Sequence, residues 1–213
     1  MRRERTLRPV EEILSAVTHG LGFFAGIVGL IFLIYFSVQT HEPYRVVGTT
    51  IFGSSIILLY LFSSLYHSFI FTRSRKIFQI FDHSAIFILI AGTYTPILLN
   101  FRSTFGLTLF IVLWAVAAVG IVMESVFRSK IKKLSLLLYF ITGWIIVLAW
   151  NPLLETVNYR MVYWILGGGI LYTFGAVFYI FQYKRYFHVI WHFFVLGGTL
   201  LHYLGILFYI AIR

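Results

Sequence analysis

Three histidines, one aspartate and one serine in this sequence combine reactive side chains with telling positions: His67, His188, His192, Asp82 and Ser63. His188 and His192 lie in FHVIWHFFVLGGTLLHYLGILFY, an apolar stretch from Phe187 to Tyr209 long enough to span a bilayer. They are four residues apart, so on a helix one ring sits above the other on a single face. An imidazole inside a membrane helix is costly unless it has a partner, which makes it a functional-site signal. Two imidazoles at this spacing can share one metal ion. His67 lies in SSLYHSF, with Ser63 four residues before it on the same helical face. Asp82 begins the next apolar run. Three neutral histidines plus water is a coordination pattern used by catalytic zinc. Beside such a set, Asp82 is suited to hold a ligand or the water. Ser63 can hydrogen-bond that water or a substrate carbonyl. Oxygen-preferring Mg²⁺ and Ca²⁺ fit an imidazole-rich site poorly. The expected assignment is Zn²⁺ on His67, His188 and His192, with Asp82 and Ser63 as the catalytic pair.

That assignment requires the five residues to meet at one depth, and the composition says what positions them. The chain is 60% hydrophobic and 11% charged, against roughly 25% charge in soluble domains. Seven apolar runs stand between charged loops: Ile13–Val38, Val46–Phe71, Ile80–Phe101, Phe105–Met123, Leu134–Trp150, Met161–Phe181 and Phe187–Ile212. Each is near the ~20 residues that cross a hydrocarbon core. The fold expected is all-α: a seven-transmembrane-helix bundle forming one membrane domain over 13–213, preceded by a basic arm over 1–12. Pro9 suits a helix start, and Pro96 predicts a kink late in the third helix. Gly22 and Gly26 form a GxxxG packing pair, and Gly167 to Gly169 predict another close helix contact. A secretory signal is not expected, because Glu11 and Glu12 interrupt the approach and the first apolar run is too long.

Lys and Arg set the orientation. Four precede the first run, three follow the second (Arg73, Arg75, Lys76), four follow the fourth (Arg128, Lys130, Lys132, Lys133) and two follow the sixth (Lys184, Arg185). Only Arg45, Arg102, Arg160 and Arg213 fall on the other side. The N-terminus is therefore expected in the cytoplasm and the C-terminus outside, in a multi-pass protein of the cell membrane. The net charge of +10 is a topology signal matched to anionic inner-leaflet lipid, and nucleic acid is not an expected partner. This topology brings the ends of the second, third and seventh spans, with Ser63, His67, Asp82, His188 and His192, to the inner membrane boundary. His202 lies fourteen residues beyond His188, about 21 Å along a helix. It is expected to make a polar packing contact instead. His41 lies in a loop, His83 neighbours Asp82, and Glu12, His19 and Glu124 are expected to form structural pairs rather than ligate. The chain has no cysteine, which excludes thiolate ligands and disulfides.

Taken together, S-x3-H at Ser63 and His67, D-H-S-A-I from Asp82, G-T-Y-T-P from Gly92, and H-x3-H at His188 and His192 resemble the hemolysin III family. That family is grouped with the progestin and adipoQ receptors and, more distantly, with alkaline ceramidases. The resemblance covers essentially the whole chain. It implies seven helices, a cytoplasmic N-terminus and zinc near the cytoplasmic face on His67, His188 and His192, accompanied by Ser63 and Asp82. Hydrolysis of ceramide-type amides in the wider group implies a zinc-dependent hydrolase of a membrane lipid amide or ester. The alternatives are a hemolysin-type cytolysin, a non-enzymatic sensor with structural zinc and, last, a zinc or proton transporter. A transporter needs polar ligands stepping through the bilayer, and the outer half of the spans is poor in them. The animal receptors carry a long cytoplasmic domain before the first span, so their hormone-related partners are not expected here. Membrane lipid is the expected partner.

Overall fold

A computed structural model describes residues 8–127, 131–156 and 158–212. Arg2, Arg3, Arg5, Arg128, Lys130 and Arg213 of the charge count lie outside the described residues. The described chain is helical throughout: α1 Pro9–Gln39, α2 Pro43–Ser68, α3 Arg75–Asn100, α4 Thr104–Phe127, α5 Lys132–Gly143, a 3₁₀ turn Ile145–Ala149, α6 Trp150–Thr156, α7 Tyr159–Ile180, α8 Phe187–Ile206, and a π turn Leu207–Ala211. Seven of the resulting spans are long and apolar enough to cross a membrane, the fifth running over Lys132–Thr156 and the seventh over Phe187–Ala211.

Several helices run past the apolar segments into charged sequence. α1 starts at Pro9, where the missing proline N–H costs no helical bond. Its first turn carries Glu11 and Glu12, whose charge suits the positive end of the helix. α3 begins at Arg75, so Asp82 lies two turns inside the helix rather than at its start. α4 continues to Phe127 and takes Glu124 into the bundle. The fifth span departs most from expectation, because the run Leu134–Trp150 is not one regular helix. α5 ends at Gly143, and three β-branched residues, Ile145 to Val147, follow in a tighter turn. Helix resumes at Trp150 with Pro152 in its first turn, a position where the missing donor is tolerated. The interruption has partners inside the bundle. The Tyr94 hydroxyl donates to the Gly143 carbonyl, and Trp144 Nε1 donates to Thr173 Oγ1 of α7 at 3.1 Å. Irregular backbone at membrane depth is stable only with such partners.

The most extensive packing joins α1 to α2, α2 to α3 and α7 to α8, and α8 closes the bundle against α1. Small residues allow these approaches, as expected of Gly22, Gly26 and the triple glycine. A Cβ on Gly22 would lie 2.9 Å from Leu196 of α8 and 3.0 Å from Tyr60 of α2. A Cβ on Gly168 would fall on the His202 ring. Burial divides the molecule lengthwise. Leu33, Phe52, Ile97, Leu113, Met161 and Ile210 form an apolar core in one half. The other half buries Glu12, His19, His67, Glu124, His188 and His192. It holds the start of α1, α3 and α8 and the end of α2 and α4, the pattern an alternating seven-span chain produces.

Candidate metal centre

The polar half is built around His67 on α2 and His188 and His192 on α8. All three are buried, His67 and His192 to 1% exposure. One ring nitrogen from each can be chosen so that all three lie within 4.8 Å of one another. Nε2 of His67 and Nε2 of His188 are 3.3 Å apart. A tetrahedral ion at the usual zinc–nitrogen distance separates its ligands by about 3.3 Å, so this pair already has the spacing of one coordination edge. Among the described residues, these histidines are the group of three or more His, Asp or Glu side chains able to hold an ion.

The surroundings select which nitrogens face inward. His67 Nδ1–H donates to Glu12 Oε2 at 2.6 Å, leaving the Nε2 lone pair for the cluster. Glu12 Oε1 accepts from Arg75 Nη2 at 3.2 Å, so its charge is compensated from two sides. On His192, Nδ1 lies 3.4 Å from Thr18 Oγ1, a hydroxyl that itself donates to the Leu14 carbonyl at 2.9 Å. Thr18 therefore accepts from His192 Nδ1–H, and His192 Nε2 is also left with its lone pair. A carboxylate or hydroxyl behind a ligand imidazole fixes tautomer and ring direction and raises ligand basicity. The donor set fits a metal that prefers imidazole, a class that contains zinc. Sequence reasoning placed Glu12 only as a structural pair. That pairing is with a histidine of the cluster, and nothing in the sequence ties positions 12 and 67 together.

His19 packs flat on His192 at 3.6 Å between ring centres and edge-on to Tyr60. His202 does make the expected packing contact, with Nε2 donating to the Ile165 carbonyl of α7 at 3.0 Å. Glu124 pairs with His83 at 3.4 Å and accepts a hydrogen bond from Ser135, again as a structural pair. Ser63 is buried and Asp82 half-buried. Neither belongs to the histidine cluster, but the two face each other and line one cavity with His188 and His192. That cavity, of about 140 Å³, runs from the histidines past Leu89, Ile90 and Val195 to Trp144 and His202, and its walls are mostly apolar.

Residues 7–203 match the model of the family described as "Haemolysin-III related". The chain is 42% identical to "Hemolysin-3 homolog" of Bacillus subtilis (strain 168) over 185 residues, 86% of this chain and 87% of that one. It is 43% identical to "Hemolysin-3" of Bacillus cereus over 185 residues, 86% of this chain and 84% of that one. No solved structure matches the chain.

Proposed function

The chain belongs to the haemolysin-III related family, and from that premise we propose that this multi-pass membrane protein is a zinc-dependent hydrolase of a membrane lipid amide or ester. The observation that carries the reading is a buried three-histidine cluster, two members of which, His188 and His192, line a mostly apolar cavity together with Asp82 and Ser63. His67, His188 and His192 hold the ion, and zinc when bound supplies a Lewis acid for a carbonyl and lowers the pKa of water towards ~7. Glu12, Arg75 and Thr18 keep the ligand rings aimed before substrate arrives. Asp82 removes a proton from the attacking water. Ser63 donates a hydrogen bond to the substrate carbonyl. The apolar walls take the acyl chain and exclude bulk water. Lys and Arg placement supports a site at the inner headgroup level, where a lipid presents its amide or ester.

The test is release of free fatty acid from a panel of lipid amides and esters. Zinc-loaded wild type is compared with Asp82→Asn and His67→Ala. Asp82→Asn keeps the shape but removes the basic oxygen, and its rate should fall by ~10²–10⁴ while metal is retained at saturating zinc. Wild-type release no higher than the His67→Ala background across the panel removes the hydrolase reading. The printed name of the Bacillus cereus relative favours one second reading, a cytolysin in which zinc ties α2 to α8. Leakage of dye-filled vesicles that is equal for wild type and Asp82→Asn, without fatty acid release, decides for it.

A further inference from the structure

Beside Asp82 lies a histidine–carboxylate contact that the reaction outlined above does not use. His83 Nδ1 stands 3.4 Å from Glu124 Oε2. Ser135 donates to the other Glu124 oxygen, and Lys132 adds positive charge on the same side. The Tyr139 hydroxyl donates to the His83 carbonyl at 2.9 Å, holding the backbone of α3 against α5. Glu124 is 1% exposed, and a carboxylate that deep needs compensating partners. His83 differs from its partner in having a second, unused face. Its side chain borders the same cavity as Ser63, Asp82, His188 and His192. No described residue forms a hydrogen bond with its Nε2. Two stripes of α3 line that cavity, one through Asp82, Ile86, Leu89 and Thr93 and one through His83, Ile90 and Tyr94. Both ionisable residues therefore reach the cavity from α3, on adjacent stripes.

We propose that His83 is the proton donor to the leaving group and that Glu124 is its positioning residue, an inference that rests on the hydrolase reading. Glu124 takes the Nδ1–H and stabilises the imidazolium, which leaves Nε2–H directed to the cavity. Water oxygen bonds to the acyl carbon as its proton passes to Asp82. The bond from the acyl carbon to the leaving nitrogen or oxygen then breaks. Its electron pair stays on the leaving atom, which takes the proton from His83 Nε2. Asp82 then releases the proton it took from water, and His83 takes up one proton in place of the one it gave, so the cycle closes with no oxidant or further reactant required. The two roles divide between adjacent residues because their partners differ: Asp82 faces Ser63, and His83 faces a carboxylate.

The experiment compares leaving groups on one acyl chain. A 4-nitrophenyl ester expels a stable phenolate without help, whereas an alkyl amide or alkyl ester needs protonation as it leaves. His83→Gln should slow the alkyl substrate by ~10²–10⁴ and the aryl ester by less than about tenfold. Glu124→Gln should slow the same substrate selectively, and it decides the matter if His83→Gln does not fold. A readout independent of turnover is the ¹⁵N imidazole spectrum of metal-free protein, in which Glu124→Gln should shift the His83 Nδ1–H signal. Equal losses on both substrates, or no loss on either, overturn the donor role and leave the hydrolase reading standing. Failure of wild type to cleave either substrate overturns both.

Discussion

At the scale of the residue, the clustering of three histidines was legible because chemistry and medium disagree at their positions. An imidazole in a membrane helix demands a partner, and His67, His188 and His192 find one another. Their supporting groups were not legible. Glu12 meets His67 across fifty-five positions, and no local pattern encodes how α1 slides against α2. His83 and Glu124 meet for the same kind of reason. Metal analysis tests the cluster. His188→Ala should lose most of the zinc, whereas His202→Ala and His41→Ala should keep it. Full zinc occupancy in His188→Ala would mean that other residues ligate. Glu12→Gln retains a hydrogen-bond acceptor for His67 but not the charge, and should weaken zinc binding by roughly 10–100-fold in a competition titration against a chelator.

Among the elements, charge punctuation revealed all seven spans, because each loop carries at least one Lys or Arg between apolar runs. It missed helix ends by several residues, since a buried pair lets Glu12 and Glu124 enter the bundle as if uncharged. It also missed the break in the fifth span, where Gly143, a β-branched run and Pro152 act together and no single one is decisive. The α7–α8 crossing gives a direct test of packing. Gly168→Ala would set a methyl group on the His202 ring, with the Gly198 carbonyl oxygen only 3.0 Å from the new carbon. Overpacking of this kind costs about 1–3 kcal/mol. The melting temperature should therefore fall clearly in wild type and less in a His202→Ala background, where the ring is absent. Equal falls in the two backgrounds would show that the contact does not limit helix approach.

For the whole molecule, the lengthwise division into an apolar half and a polar half matters only if the polar half faces the cytoplasm. The Lys and Arg distribution predicts that it does. Reporter fusions after residue 130 and after residue 213 should report opposite sides, and both on one side would remove the shared depth of Ser63, Asp82 and the histidines at the inner boundary. The distance along the chain between the helices that carry the histidine cluster has a further consequence, for biosynthesis. His67 and His188 are 121 positions apart. At ribosomal speed, about 5–20 residues per second, the first waits on the order of ten seconds for the second. During that interval α2 is already made and its imidazole has the Glu12 carboxylate to hold it. With the proposed ligands, an ion would be captured only after the last span has been inserted, and a nascent chain stopped before Phe187 should hold none. Metal content would thus mark completed insertion: a cell that metered the proposed ion into this protein would meter only finished copies.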